Sequence, residues 1–261
     1  MHVGIQTISW GPRPRISINA MLGEAKRAGY AGVELMQDPR VLGDPQQLLV
    51  ALKQHDLTLL GFSGGSVEER IEYVRVLKKF LGDQPPSFGW GIRIYKDKED
   101  QEENDTTRPY VYVDEWREDH HAPLLSQTDV VLALHPHMFK TVQTASEAVR
   151  VLDAHRELRF LPDTAHLAVA GDDPVRAIEL NFRRLAAVHL KDWTAEFGRA
   201  YPFYARGFVH LGMGTVPVKE VVGMLEKKNY GGWLVVEQDW AANPFASAEA
   251  SRGWLRKETG I

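Results

Sequence analysis

The chain contains 261 residues, more than a usual domain of about 100–200 but suited to a barrel or a large α/β domain of about 250. Hydrophobic residues make up 44% and charged residues 25%, an ordinary globular composition that excludes wholesale disorder. The 31 basic and 35 acidic residues give a net charge of −4, which argues against a nucleic-acid-binding protein. The absence of cysteine excludes disulfides, thiolate nucleophiles and cysteine-ligated metals.

No segment has the pattern of a secretion signal or a membrane span. The stretch Met1–Ile5 is not a basic region followed by a long apolar run, and no stretch approaches about 18 uncharged apolar residues. We therefore expect a soluble, cytoplasmic protein that does not contact membranes.

Short apolar runs bounded by Gly, Pro or Asp alternate with longer amphipathic segments. The predicted strands, in chain order, are Val3–Ile8, Gly32–Leu35, Leu57–Phe62, Gly91–Tyr95, Val130–Leu134, Leu158–Leu161, Leu185–Leu190 and Trp233–Val236. The predicted helices are Ile18–Ala28, Gln46–Gln54, Val67–Phe80, Ala145–Ala154, Pro174–Arg184 and Val218–Lys228. Gly29 stands where a glycine commonly ends a helix, and Pro174 suits a first helical turn.

Eight strand-like runs separated by helices predict an α/β protein with parallel strands. At this length a single (β/α)8 TIM barrel over residues 1–261 fits better than an open sheet, although the strand count alone does not exclude the latter. The segment Lys96–Gln127 is dense in charge and its helix is hard to place. A solvated loop with a poor fourth helix is favoured there, and a lid over the site formed by residues 96–118 is the alternative.

Polar side chains end four of the predicted strands, at the edge where barrel enzymes place their sites. The fifth strand runs into His135 and His137, which share a face under period-two alternation. The next three strands end at Asp163, His189 and Glu237. A lone histidine or strand-end aspartate is more often structural, but the joint pattern favours a common site.

Two imidazoles and two carboxylates that converge on one axis form a mixed nitrogen and oxygen site. Such a site suits Mn²⁺, Co²⁺ or Zn²⁺, whereas Mg²⁺ is possible but less favoured by nitrogen ligands. The sequence therefore predicts a divalent metal ion held by His135, Asp163, His189 and Glu237.

The order of these residues resembles the xylose isomerase-like barrel superfamily, which includes sugar isomerases and epimerases, inosose dehydratase and endonuclease IV. The resemblance covers nearly the whole chain and rests on the segments Asp163–His166, His189–Asp192 and Gly212–Pro217 and on Glu237. Two further segments, Leu134–Met138 and Trp233–Asp239, are most similar to inosose dehydratases.

The resemblance implies metal-ligand roles for Asp163, His189 and Glu237. In the isomerases and epimerases the first ligand is a glutamate at the end of strand five, where this chain has His135. The difference removes one of the two opposed glutamates that 3-epimerases use, and it makes the site one charge less negative.

The implied chemistry is removal of a proton next to a carbonyl, assisted by the metal ion as a Lewis acid. The base would be Glu237, His135 or His166, and Lys191 is a candidate acid for a leaving hydroxyl or a structural ion-pair partner. Protonation of the neighbouring carbon would give an isomer or epimer, and loss of a β-hydroxyl would give dehydration.

Several side chains are candidates for contact with a small sugar or cyclitol, namely His137, His166, His210, Glu34, Trp10 and Arg93. The position of His166 resembles that of a substrate-contacting histidine of the family, and His210 is a candidate for substrate or a second metal. Alternatively, Glu34 pairs with Arg93 or Lys191, and Trp10 belongs to the core.

The leading hypothesis is a dehydratase of the inosose type, with a sugar isomerase or epimerase as the alternative. A noncatalytic sugar-binding relative is less favoured. A nuclease is opposed by the acidic balance and by the absence of an aspartate two residues before His210. The family commonly forms dimers or tetramers, so a homo-oligomer of that size is an expectation.

Overall fold

Eight parallel strands form the centre of the protein. The structure is a computed structural model and describes residues 1–81, 110–127, 130–198 and 207–261. The eight strands are β1 His2–Gln6, β2 Gly32–Leu35, β3 Thr58–Phe62, β4 Tyr110–Val113, β5 Val131–Leu134, β6 Arg159–Phe160, β7 Val188–Leu190 and β10 Trp233–Val236. Their hydrogen-bonded order is β6-β5-β4-β3-β2-β1-β10-β7. A second, antiparallel sheet pairs β8 Asp192–Trp193 with β9 Phe208–Val209.

The eight-stranded sheet closes on itself between β6 and β7. Parallel bridges join Phe160 to Leu185 and Asp163 to His189. Backbone hydrogen bonds of 2.8 Å from Ala186 N to Phe160 O and 2.9 Å from His189 N to Pro162 O accompany the bridges. The predicted (β/α)8 barrel is therefore confirmed.

Helices follow the strands around the barrel. Their bounds are α1 Ile18–Arg27, α2 Pro39–Leu42, α3 Pro45–Gln54, α4 Val67–Leu81, α5 Glu118–Gln127, α6 Ala145–Ala154, α7 Thr164–Val169, α8 Pro174–Leu180, α9 Ala195–Gly198, α10 Val218–Lys227 and α11 Pro244–Thr259. Short 3-10 turns occur at Thr7–Trp10 and Phe182–Arg184. Among the described residues, none of the helices has the length and apolar character needed to cross a membrane.

The first helix shows how local sequence sets these bounds. Its N-cap, Ser17, accepts a hydrogen bond from the Ala20 backbone N–H, and the helix buries Met21 and Leu22 against the barrel. Gly29 follows the last turn with a φ of 96°, a conformation that glycine adopts without steric cost. The predicted end of the helix is confirmed within one residue.

The fourth strand is not the one that the sequence predicted. The strand β4 pairs with β3 through Gly61 and Tyr110 and with β5 through Tyr110 and Val131, so it occupies the fourth place in the barrel. It lies in the segment Lys96–Gln127, for which the sequence favours a solvated loop with a poor fourth helix, and α5 ends the same segment. Alternating tyrosine and valine is a strong strand signal, but the charged run before it favoured a loop.

Two predicted segments lie outside the described residues. These are the strand Gly91–Tyr95 and the first part of the candidate lid, residues 96–109. The latter part of the candidate lid, residues 110–118, contains β4 and the start of α5.

Alternation along each strand separates the barrel interior from the helix layer. On β5, Leu132 and Leu134 belong to the large hydrophobic cluster shared with the helices, whereas Ala133 belongs to a smaller cluster with Val235 and Trp233. The next residue on the face of Ala133 is His135. Side chains that follow the strands on this inner face therefore meet at the carboxyl end of the barrel.

Closure of the barrel predicts a strong stability effect at Phe160. Its side chain is fully buried. Its strand, β6, pairs with β5, and Phe160 forms the bridge to Leu185 that helps to close the barrel. We expect Phe160→Ala to lower the free energy of unfolding by about 3–5 kcal/mol, because a large cavity would form in the core. Chemical denaturation measures this loss. Phe80→Ala is the control, since Phe80 is 47% exposed, and an equal loss in both variants would contradict the prediction.

Candidate metal centre

The four predicted metal ligands lie together at the carboxyl end of the barrel. Each of His135, Asp163, His189 and Glu237 offers a ligand atom, and these atoms lie within 4.8 Å of one another. All four side chains are buried. The distances are compatible with one ion between all four, and the role of each residue as a ligand stays a prediction.

Period-two alternation brings these side chains to the axis. The inward-facing residue two positions earlier is a small or apolar residue of the barrel interior in each case: Ala133 before His135, Leu161 before Asp163, Ala187 before His189 and Val235 before Glu237. The predicted ligand positions are thus the last inward-facing layer of four neighbouring strands.

Asp163 uses its two carboxylate oxygens differently. Oδ1 accepts hydrogen bonds of 2.8 and 2.9 Å from the backbone N–H groups of Ala165 and His166, and so caps α7. Oδ2 lies 3.6 Å from Lys191 Nζ and 4.0 Å from His135 Nε2. Burial raises the pKa of Asp163 despite the attraction of Lys191. The cap orients the carboxylate so that Oδ2 remains for the centre of the cluster.

His189 lies between two carboxylates. Its Nδ1 is 2.5 Å from Glu237 Oε2, and its Nε2 is 2.8 Å from Glu34 Oε2. Burial alone would lower the pKa of His189, but Glu34 and Glu237 outweigh burial and raise this pKa to about 10. In the absence of a metal ion the ring is therefore a cation, and a metal would take the place of a proton.

Lys191 is a fully buried cation beside the predicted ligands. Its Nζ donates a 2.8 Å hydrogen bond to Glu237 Oε1, forms an ion pair with Asp239 and lies 3.2 Å from His166 Nε2. Burial opposes the charge, but Asp239, Glu237 and Asp163 raise the pKa of Lys191 above its ordinary value. Burial would also raise the pKa of Glu237, yet Lys191 and His189 hold it well below its ordinary value.

His135 and His166 are neutral by contrast. Burial is the main cause that lowers the pKa of each well below the ordinary value. The His135 ring stacks on Tyr112, with centroids 4.6 Å apart and an interplanar angle of 28°. The stacking fixes the ring plane, and a neutral imidazole has a lone pair for a metal ion.

Unpaired atoms show that these residues fit a metal ion. Buried polar atoms in folded proteins are nearly always hydrogen-bonded. Within the described part of the chain, both ring nitrogens of His135 and Oδ2 of Asp163 have no hydrogen-bond partner. Imidazole nitrogens and carboxylate oxygens are together the ligands of Zn²⁺, Mn²⁺ and related ions.

The predicted substrate contacts have different surroundings. The His137 ring lies 3.8 Å from the His166 ring, between centroids, and so borders the cluster. His210 is half-buried in the loop after β9, where its Nδ1 lies 3.2 Å from Leu211 O. The Trp10 indole N–H donates a 2.7 Å hydrogen bond to Glu24 of α1. Arg93 lies outside the described residues. Contact of these residues with a substrate remains a prediction.

Four residues of the site were not predicted as site residues. Tyr110 and Tyr112 were missed because the fourth strand was misplaced. Asp239 pairs with Lys191, and the Lys191 Nζ lies 4.2 Å from the centroid of the Phe208 ring. The signal that could have found Asp239 is its spacing of two from Glu237, which keeps a strand residue on the same face. Phe208 lies on β9, a strand that no apolar pattern in the sequence predicted.

A family model provides an independent assignment of the chain. Residues 97–258 match the xylose isomerase-like TIM barrel family. The chain belongs to this family. The match includes all four residues of the predicted metal set, so the resemblance found in the sequence is confirmed.

The chain is similar in sequence to curated inosose dehydratases. An inosose dehydratase of Geobacillus thermodenitrificans is 32% identical over 152 residues, which are 53% of this chain and 51% of that protein. An inosose dehydratase of Bacillus anthracis (strain CDC 684 / NRRL 3495) is 29% identical over 173 residues, or 59% of this chain and 58% of that protein. The matched part thus spans little more than half the length of these relatives.

Solved structures show the same fold. The probable 3-DHS dehydratase AsbF from Bacillus anthracis aligns with a TM-score of 0.67 and 16% identity over 98% of each chain. The 3-keto-D-glucoside 4-epimerase YcjR from E. coli aligns with a TM-score of 0.67 and 19% identity over 98% of this chain and 99% of that one. The IOLI protein, solved with a bound zinc atom, aligns with a TM-score of 0.64 and 12% identity over the whole of both chains.

The two functions of Asp163 lead to a test of the metal set. We expect Asp163→Asn to remain folded, because asparagine caps a helix as well as aspartate does. Loss of a residue that only supports a ligand typically lowers metal affinity about 10- to 100-fold. The affinity of Asp163→Asn for a divalent ion should fall by more than this, because a ligand itself is changed. Isothermal titration calorimetry with Zn²⁺ and thermal unfolding measure the two effects.

The matched control is Asp173→Asn. Asp173 caps α8 with hydrogen bonds to the backbone N–H groups of Val175 and Arg176, but it is exposed and away from the cluster. This variant should bind Zn²⁺ as the parent chain does. Equal Zn²⁺ affinity in Asp163→Asn and Asp173→Asn would show that Asp163 is not a ligand.

Proposed function

We propose that this protein is a divalent-metal-dependent enzyme that acts on a keto-sugar or cyclitol, and that its reaction is dehydration of an inosose-type substrate. The observation that carries the proposal is the buried set His135, Asp163, His189 and Glu237 with the Lys191 ammonium against it. The inosose dehydratase relatives support the choice of substrate class.

The reaction requires a base and an acid beside one substrate. When bound, the divalent ion would polarise the substrate carbonyl and make the neighbouring C–H bond more acidic. The base removes that proton, its electron pair forms a carbon–carbon double bond, and the β-hydroxyl leaves as water after it takes a proton. Glu237, His135 and His166 are the candidate bases, and all three lie in the buried cluster.

Lys191 favours dehydration over isomerisation. Its ammonium contacts Asp163 and Glu237 of the predicted metal set and is held by Asp239. A substrate bound at that set would have a hydroxyl group next to this ammonium. A bound divalent cation would offset the carboxylates that raise the pKa of Lys191 and so make the ammonium a better proton donor. Isomerisation and epimerisation need no acid for a leaving hydroxyl, whereas dehydration does.

The alternative function is a sugar isomerase or epimerase of the same family. Its reaction begins with the same removal of a proton next to the carbonyl. It then returns a proton to a carbon atom of the substrate, whereas dehydration delivers a proton to the leaving hydroxyl. His135 in place of a glutamate disfavours an epimerase with two opposed carboxylate bases, because the described cluster then has one glutamate, Glu237, in the metal set. The noncatalytic sugar-binding alternative predicts metal binding without proton exchange.

The discriminating experiment follows the substrate by NMR in D₂O. The Mn²⁺-, Co²⁺- or Zn²⁺-loaded protein is incubated with a panel of inososes and keto-sugars. We expect deuterium at the carbon next to the ketone of an inosose, followed by loss of water. Deuterium uptake with all oxygens retained would instead establish isomerase or epimerase chemistry. Absence of exchange over the whole panel, despite bound metal, would contradict an enzymatic role on these substrates.

A variant of Lys191 separates removal of the proton next to the carbonyl from the loss of water that follows. We expect Lys191→Met in its metal-loaded form, in which the ion stays beside Asp163 and Glu237, to keep proton exchange. Loss of water from the substrate should become about 10²–10⁴-fold slower, the usual contribution of a general acid. Asp239→Asn should show a smaller decrease, because it removes the ion-pair partner but not the ammonium. The two rates come from the same NMR time course. If exchange and dehydration slow equally in Lys191→Met, then Lys191 is not specific to the second step.

A further inference from the structure

Glu34 makes two contacts with one carboxylate oxygen at the back of the predicted metal set. Its Oε2 lies 2.8 Å from His189 Nε2 and accepts a 2.5 Å hydrogen bond from the Tyr110 hydroxyl. Glu34 and His189 are fully buried, and Tyr110 is 4% exposed. These contacts join β2, β4 and β7 inside the barrel.

The sheet is built to allow the contact between Tyr110 and Glu34. Strand β3 lies between β2 and β4, and its Gly61 is in register with both Glu34 and Tyr110. A Cβ atom at position 61 would lie 2.6 Å from a ring carbon of Tyr110. The tyrosine ring therefore crosses β3 over the glycine, where a larger residue would displace it.

A register irregularity presents Glu34 at this place. The pairing of β2 with β3 shifts between Val33 and Glu34. Bulges of this kind re-aim a side chain and are frequent next to active sites. The position of the Glu34 carboxylate therefore depends on three features. These are the register shift, the space left by Gly61 and the hydrogen bond from the Tyr110 hydroxyl.

The other nitrogen of His189 faces the predicted metal set. Nδ1 is 2.5 Å from Glu237 Oε2, on the opposite side of the ring from Glu34. Of the two histidines of the predicted set, His135 has no hydrogen-bond partner on either ring nitrogen within the described residues. His189 is therefore the histidine whose ring is oriented by a carboxylate.

We propose that Glu34, held by Tyr110 across Gly61, is a positioning residue for His189. Glu34 accepts the Nε2–H hydrogen bond of His189, which fixes the ring and directs the Nδ1 lone pair at the metal ion. A carboxylate behind a ligating histidine fixes its tautomer and makes it a better ligand. The inference rests on the metal-dependent function proposed above and gives Glu34 a role other than substrate contact.

The first test measures Co²⁺ affinity in competition with a chelating dye. We expect Glu34→Gln to bind Co²⁺ about 10- to 100-fold more weakly than the parent chain. The visible spectrum of bound Co²⁺ should also change, because it reports the arrangement of the ligands. Glu147→Gln is the matched control. Glu147 Oε2 also accepts two hydrogen bonds, from the backbone N–H groups of Gln143 and Thr144, but it lies outside the barrel.

The second test asks whether Tyr110 acts through Glu34. We expect Tyr110→Phe to weaken Co²⁺ binding by roughly threefold to tenfold, the effect of one lost hydrogen bond. In the Glu34→Gln background the same change should have a smaller effect, because the two residues act on one ligand. Tyr30→Phe is the control, as it removes a buried hydroxyl that donates to Ala248 O instead. The Tyr110→Phe variant also keeps the inference testable if Glu34→Gln does not fold.

The outcomes separate this inference from the proposed function. Folded Glu34→Gln protein with the parent affinity and spectrum for Co²⁺ would overturn the positioning role and leave metal dependence intact. Independent effects of the two substitutions would overturn the part assigned to Tyr110. A parent chain that binds no Co²⁺, Zn²⁺ or Mn²⁺ would overturn metal dependence and this inference together.

Discussion

Burial of several carboxyl groups around one lysine is the constraint on which the site depends. A buried carboxylate is costly unless a cation or hydrogen-bond donors meet it. Lys191 contacts Asp163, Glu237 and Asp239, and His189 contacts Glu237 and Glu34. The pKa of Asp239 is nevertheless raised to about 7, chiefly by burial, which shows how little further negative charge the cluster can hold. A divalent cation would relieve this crowding.

The barrel makes such crowding possible because parallel strands end at one edge. Antiparallel neighbours would send alternate strand ends to opposite edges and separate the ligands. The closing bridge between Asp163 and His189 belongs to the site as well as to the fold. The same residue, Asp163, caps α7 through its other oxygen. Stability and ligand geometry therefore depend on shared contacts, and a substitution at Asp163 needs a capping control before its effect on metal binding is interpreted.

His135 distinguishes this site from that of an enzyme with two opposed glutamates. A neutral imidazole stacked on Tyr112 replaces a charge and leaves one glutamate in the predicted metal set. The Lys191 ammonium lies on the side of Asp163 and Glu237, where the proposed reaction needs a proton donor. The proposed reaction is correspondingly asymmetric, with removal of a proton at one carbon and departure of a hydroxyl at the next. That asymmetry is the physical reason for preferring dehydration to epimerisation.

The sequence by itself determined the barrel, seven of its eight strands and the clustering of the four predicted ligands, because period-two alternation and strand-end polarity are local patterns. It did not determine the fourth strand, since the charged residues before Tyr110 outweighed the tyrosine–valine alternation. Only the tertiary structure decided that Glu34 meets His189, and that Tyr110 reaches Glu34 across Gly61. The Tyr110–Glu34 contact joins residues that are 76 positions apart in the chain, and the His189–Glu34 contact joins residues that are 155 positions apart. They depend on strand register and on the space above a glycine, which no local pattern encodes.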